Sequence, residues 1–272
     1  VPSIYEVPLK MQEQKLDEIV LRKTGMEIGP RPELKPWREF LAHMQNAKDT
    51  VRIGLVGKYV ELQDAYKSIN EALFQAATYN NRKLDLQYIH SEKLTESNVE
   101  EKLSSMDGLI IAPGFGQRGV EGKFVALKYA REHDMPTFGI CLGMQCMVIE
   151  YARDVLGYKD ANSTEMDVNT PHNVIDLMES QKCISNMGGT MRLGEYDCIL
   201  QEGSKAEQAY GKTHIKERHR HRFEFNGDYR SEFEAAGMKC VGENPDTHLV
   251  EVVEVPSLTW YIGVQYLSLI HI

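Results

Sequence analysis

Cys141 lies at the centre of Gly139-Ile-Cys141-Leu-Gly143, with a glycine two residues to either side of the thiol. That spacing is what a nucleophile elbow requires: a strand ends, the chain turns sharply into a helix, and the apex residue is held in strained backbone angles. Glycines at both flanks remove side chains that would collide in so tight a turn. The chemistry on offer is nucleophilic attack by a thiolate. The first free N–H groups and the dipole of the following helix favour that form. The bland reading is a buried structural cysteine, as most free cysteines are. Strand, paired glycines and helix in register favour the nucleophile.

The flanking elements fit this reading. Met135-Pro-Thr-Phe-Gly-Ile140 reads as a short buried strand, and Met147, Val148, Tyr151, Ala152 and Val155 fall on one helical face. From residue 51 strands and helices alternate. Strands are predicted at Val51–Gly57, Leu84–His90 and Gly108–Ala112, with helices at Tyr66–Tyr79 and Phe124–His133. The rhythm predicts an α/β fold, a doubly wound and mostly parallel sheet flanked by helices. Loops at the carboxyl ends of such strands carry function, so the turn Pro113–Gly119 is expected to face Cys141. Short strand candidates at Arg192-Leu193, Cys198–Leu200, Lys239–Gly242, Leu249–Val255 and Trp260–Tyr266 suggest an antiparallel extension returning to the sheet. Residues 1–50 differ: Val1–Leu9 reads as extended, Met11–Lys23 and Lys35–Asn46 as helices, with no self-sufficient core. They read as the end of a preceding domain and a linker.

Composition narrows the class. A net charge of −9 argues against a nucleic-acid surface as the main business of the chain, a local patch aside. No apolar run is long enough to span a bilayer, and the N-terminus lacks a signal-peptide layout. The five cysteines (Cys141, Cys146, Cys183, Cys198 and Cys240) are scattered without C-x-x-C spacing, so neither a zinc site nor a disulfide framework is indicated. A reducing cytoplasm is the expected compartment.

Four motifs extend the argument: Gly139-Ile-Cys-Leu-Gly-Met-Gln145, Asp160-Ala-Asn-Ser-Thr-Glu165, Gly188-Gly-Thr-Met-Arg-Leu-Gly194 and Glu217-Arg-His-Arg-His-Arg222. Together they resemble the C-terminal class I glutamine amidotransferase domain of the CTP synthase family, over residues 51–266. Val1-Pro-Ser-Ile-Tyr-Glu-Val-Pro8 resembles the last segment of that family's ATP-dependent amidoligase domain. The resemblance implies a flavodoxin-like glutaminase fold. It also implies that Cys141 attacks the side-chain amide of glutamine, with ammonia passed on to make CTP from UTP in pyrimidine biosynthesis. Gly114 and the Leu142 amide would hold the oxyanion. Leu142, Gly143, Met144 and Gln145 would line the substrate, Glu165 would pair with its α-ammonium and Arg222 with its α-carboxylate. A free amino acid carries both charges, so one acid and one base are the physical minimum. ATP and magnesium would belong to the amidoligase domain, the parent would be a homotetramer, and GTP would be an allosteric activator. The segment Arg118, Gly119 and Glu121 resembles the one through which the family senses GTP; a turn that positions the next helix is the alternative.

Arg218-His-Arg-His-Arg222 admits other readings, a phosphate patch or a metal pair of His219 and His221. No further cluster completes a metal shell, so metal is rejected. On a strand, alternation would turn the arginines to one face and the histidines to the other.

Two departures from the family pattern stand out. Ala112-Pro-Gly-Phe-Gly116 replaces the Pro-Gly-Gly-Phe-Gly of many relatives, and Pro113 has no N–H to offer an oxyanion. More seriously, the family follows Gln-Tyr with His-Pro-Glu, its base and orienting acid. Here Leu267 and Leu269 stand at those positions, and His271 comes too late. Residues 267–272 are read as a non-native tail of the kind a transposon-library adapter encodes. The expected function is therefore a glutaminase portion impaired for lack of its base. The competing readings are a natural pseudo-glutaminase that binds glutamine as a regulatory module, and a free-standing cysteine hydrolase of another class I family. The amidoligase-like N-terminal segment disfavours the last.

Overall fold

The computed structural model describes residues 1–177 and 191–267. Cys183, the Gly188-Gly-Thr190 half of one motif, Leu269 and His271 lie outside the described residues. The chain divides into two compact units, Val1–Val51 with Glu71–Asp85, and Arg52–Asn70 with Leu86–Ile272. The first unit thus takes in a stretch, residues 71–85, beyond the boundary read near residue 50.

The first unit corrects two expectations. Val1–Leu9 is not extended: a 3-10 turn at Ile4–Glu6 runs directly into α1 (Val7–Glu13). The signal is Ser3, whose Oγ accepts the Tyr5 N–H (3.2 Å), with Pro8 in the first turn of α1, where no amide is needed. The helix expected over Met11–Lys23 is two, because Lys15 takes φ +58° before α2 (Leu16–Lys23). Neither α1 nor α2 buries a residue, and α3 (Lys35–Asn46) buries only Leu41. An aromatic cluster does the packing here: Tyr5 lies 6.1 Å from Trp37, 5.4 Å from Phe40 and 5.4 Å from Phe74 between ring centroids. The Trp37 indole donates to the Tyr5 carbonyl (2.7 Å).

In chain order there follow β1 (Asp49–Gly57), α4 (Lys67–Tyr79), β2 (Arg82–His90), α5 (Val99–Leu103), β3 (Gly108–Ile111), α6 (Val120–Glu132), β4 (Thr137–Ile140) and α7 (Leu142–Asp154). Then come β5 (Asn162–Ser163), β6 (Asn173–Leu177), β7 (Arg192–Leu200), α8 (Lys205–Tyr210), β8 (His214–His221) and β9 (Phe223–Phe225). The last elements are α9 (Arg230–Ala236), β10 (Lys239–Glu243), β11 (Val250–Glu254) and β12 (Tyr261–Val264). The main sheet has the order β2-β1-β3-β4-β12-β11-β10-β7-β8. β1, β3, β4 and β12 pair in parallel, while β12, β11, β10, β7 and β8 pair antiparallel. The fold is therefore α/β, with a parallel half flanked by helices and the antiparallel extension the strand pattern suggests.

Two candidates, Arg192-Leu193 and Cys198–Leu200, are one strand, β7. Sequence reasoning missed the small second sheet, β5-β6-β9, whose strands are too short to show a period. α7 is the core of this unit: Met147, Val148, Ile149, Tyr151 and Ala152 are all buried. Val155 is exposed, because the helix ends there and it caps rather than continues the face.

Candidate active site

Cys141 sits between β4 and α7 with φ +52° and ψ −104°, backbone angles that an L-residue adopts only when its surroundings enforce them. The enforcing contacts are visible. Its N–H donates to the Val264 carbonyl at the end of β12 (2.7 Å), and its carbonyl accepts the Gln145 N–H (3.1 Å), the first bond of the helix. The two glycines work by close approach rather than by unusual φ. A Cβ on Gly139 would lie 2.8 Å from the backbone carbon of Gly143, and one on Gly143 would overlap the Ile111 carbonyl. The spacing of the motif therefore lets α7 press its first turn onto β3 and β4.

The thiol borders a small cleft of about 40 Å³ lined by Gly114, Phe115, Cys141, Gln145, Glu165, Met191, His221, Arg222 and Phe223. Of the sequence candidates, the structure thus brings Cys141, Gly114, Gln145, Glu165 and Arg222 to one place. Leu142, Gly143 and Met144 are buried behind the cleft wall and do not line it. Leu142 contributes its amide, which bonds the thiol; Gly143 packs on β3, and Met144 packs against Gly263. Glu165 is positioned by Gly116, whose N–H donates to Oε1 (2.9 Å). Gln145 donates from Nε2 to the Phe223 carbonyl (2.9 Å), tying α7 to β9. Arg222 falls at a bend between β8 and β9, so it leaves the face that Arg218 and Arg220 share. Along β8 itself the predicted alternation is seen: Arg218 and Arg220 point outward, His219 and His221 are buried.

Electrostatics run against the expected thiolate. Burial pushes the Cys141 thiol up to about 12, with the charges of Glu224 and Glu165 adding to the rise; the Leu142 amide and Lys123 pull the other way. The resting group is a thiol, because loss of hydration outweighs the helix terminus. Gln265, fully buried, approaches Sγ from the end of β12 with its Nε2 at 3.7 Å.

His221 is the one histidine among the described cleft residues, and sequence reasoning did not single it out as such. Its Nε2 meets Nδ1 of His219 (2.8 Å), and its own Nδ1 faces Glu224 Oε1 (3.3 Å). Both ring nitrogens therefore point into a buried network. That network also holds Arg192, 2.6 Å from Glu251 and 3.5 Å from Glu224. Burial, with Arg192 nearby, lowers His219 to about 2 and His221 to about 3, so both are neutral. Leu267 is buried in a separate recess with Arg218, His219 and Arg220, and its N–H donates to the Arg218 carbonyl (2.7 Å).

Arg118, Gly119 and Glu121 do not line the cleft. Arg118 pairs with Glu92 (2.8 Å) and lies over the Tyr59 ring, Gly119 caps α6 at φ +74°, and Glu121 faces Arg153 at 3.7 Å. Lys58, buried, donates from Nζ to the Phe115 carbonyl and steadies the Pro113–Gly116 turn, a role with no local signal in the sequence.

Comparison with known proteins decides the family. The model of the class-I glutamine amidotransferases matches residues 61–266. The chain belongs to the class I glutamine amidotransferase family. This amidotransferase chain is 66% identical over 266 residues to a CTP synthase of Porphyromonas gingivalis, covering 98% of this chain and 49% of that protein. It is 65% identical over 264 residues to a CTP synthase of Bacteroides fragilis, covering 97% and 50%. The chain spans about half the length of the curated relatives it matches. Among solved structures it resembles the glutaminase domain of Trypanosoma brucei CTPS with bound acivicin. That likeness has a TM-score of 0.76 and 35% identity, and covers 82% of this chain and 87% of that one.

Proposed function

We propose that the chain is the glutamine-hydrolysing portion of a CTP synthase, and that with leucine at position 267 its turnover is impaired. The observation that carries the reading is the strained Cys141 opening into a cleft that also holds Glu165 and Arg222. In this reading glutamine enters with its α-ammonium toward Glu165 and its α-carboxylate toward Arg222. The sulfur then adds to the side-chain carbonyl carbon. The oxygen takes the negative charge beneath the N–H groups of Gly114 and Leu142. Collapse of that adduct expels the amide nitrogen, which leaves as ammonia with one added proton. Water then cleaves the thioester to glutamate and the free thiol. Two proton transfers are needed, and a base must serve both.

The cleft is poor in that respect. His221 has its Nε2 held by His219 and its Nδ1 turned toward Glu224 in the buried network, away from the thiol's first hydrogen-bond partners, and Leu267, where relatives are expected to carry histidine, cannot accept a proton. The ammonia acceptor, UTP activated by ATP with magnesium, is assigned to the half of the relatives that this chain does not span. Activation by GTP, assembly as a homotetramer and a cytoplasmic setting belong to that parent protein. A regulatory module that binds glutamine without hydrolysing it rests on the same Leu267 and is the second reading.

The test is glutamate release by the purified chain. We expect turnover about 10²–10⁴-fold below that of a CTP synthase relative with histidine at this position, the cost of losing a general base. Glutamine is still expected to protect Cys141 from iodoacetamide. Turnover equal to the relative's overturns the impairment; absence of protection overturns the glutamine reading itself.

A further inference from the structure

Lys123 is the most heavily buried charge-bearing side chain near the elbow that the mechanism above leaves unused. It lies in the first half of α6, is 1% exposed, and among the described residues no carboxylate pairs with it. Its Nζ donates to a single partner, the Ala112 carbonyl, at 2.6 Å. Burying an ammonium without a counter-charge is costly, so a lysine in this place calls for a use. Methionine would fill the same volume at no such cost.

The position supplies the use. In the β3–β4 register Ile111 stands beside Gly139, so Ala112 stands one residue short of Cys141's level on the neighbouring strand. Adjacent strands are about 4.8 Å apart. The Ala112 carbonyl also directs the peptide that leads through Pro113 to Gly114 at the cleft wall. A group bonded to that carbonyl is therefore anchored at the strand end next to Cys141 and at the start of the turn to Gly114.

Resting on the reading of Cys141 as nucleophile, we propose that Lys123 is the positioning residue of this elbow. Its buried ammonium fixes the Ala112–Gly114 turn and supplies the positive charge against which the Cys141 thiolate forms. The groups that face it divide, and the net direction is downward. Burial lowers the lysine's pKa, the thiols of Cys146 and Cys141 oppose that fall, and Lys58 adds to it. On the thiol side Lys123 opposes burial together with the Leu142 amide, while Glu224 and Glu165 reinforce it. Ammonium and thiolate each favour the other's charged form, and the lysine's stabilisation grows as negative charge develops at sulfur.

The experiment measures the rate of Cys141 alkylation by iodoacetamide from pH 7 to pH 10.5, read by peptide mass spectrometry on the whole chain. Lys123→Met is compared with wild type, and Cys240, in the antiparallel extension, serves as the internal reference. We expect alkylation of Cys141 to slow about tenfold at each pH, a displacement of about one pH unit, with Cys240 unchanged. A Cys141 profile that does not move overturns the inference, as does an equal slowing of both thiols. Should Lys123→Met not fold, the lysine ζ-nitrogen resonance of the unmodified chain decides. A Lys123 ammonium retained at pH 8 supports the proposal, and a neutral amine at that pH overturns it. Protection of Cys141 by glutamine is scored separately in wild type, so loss of the nucleophile reading is not confused with loss of the lysine's role.

Discussion

At the scale of single residues, the elbow is a packing solution before it is a chemical one. Gly139 and Gly143 are glycines because each lies against backbone that cannot yield, and the strained Cys141 between them is a by-product of that contact. Gly143→Ala is accordingly expected to lift α7 from β3 and cost about 3 kcal/mol, the upper range for overpacking a tight core. A urea-denaturation midpoint equal to wild type would sink this account. Glutamine protection of Cys141 should be lost in the same variant. The nucleophile was legible in the sequence because its glycine spacing is local. Its protonation was not. The helix terminus is visible in the motif, but the burial that outweighs it depends on the whole fold, including β12, whose Val264 holds the Cys141 N–H from far along the chain.

At the scale of elements, the antiparallel extension and β9 of the small sheet share a buried cluster drawn from four strands. It comprises Arg192 on β7, His219 and His221 on β8, Glu224 on β9 and Glu251 on β11. One guanidinium faces two carboxylates, so their two charges are not both matched. Burial and the Glu251 charge push Glu224 well above the usual carboxylate range. Burial raises Glu251 to about 7 against the pull of Arg192. The sign follows from the proton balance. A carboxyl that holds its proton longer when folded stabilises the fold fully below its unfolded pKa near 4.5, and that contribution is lost as pH rises through 7. Wild type is therefore expected to lose melting temperature between pH 5 and pH 8 relative to Glu251→Gln; parallel melting curves for the two across that range would refute it. The alternation of Arg218–His221 was readable from a period of two, whereas the partners of the histidines were not. Arg192, Glu224 and Glu251 are scattered through the sequence on β7, β9 and β11 and meet only in the folded chain.

At the scale of the whole molecule, stability is unevenly placed. Every residue of α7 from Leu142 to Ala152 is buried, while α1 and α2 bury none. Amide protons of α1 and α2 are expected to exchange at least 10³-fold faster than those of the α7 interior, by hydrogen exchange followed residue by residue. Comparable protection in both would show that the first helices are held by more than the Tyr5 aromatic cluster. The parallel half of the sheet was legible because buried strands read as apolar runs. Ser3 and Lys15 show why the first unit was misread: a cap and a left-handed residue redirect the chain without changing its hydrophobic pattern.

The bond from the Cys141 N–H to the Val264 carbonyl has a consequence in time. β12 lies between β4 and β11, so the middle of the sheet stays open until residues 261–264 have been made. At about 5–20 residues per second, a nascent chain carries Cys141 for several seconds with no strand to hold it in its strained angles. Until then it is an ordinary cysteine on an unfinished polypeptide, exposed to oxidants and to neighbouring thiols. The reactive geometry is switched on only once the ribosome has passed β12, and the arrival of that strand serves as the arming step.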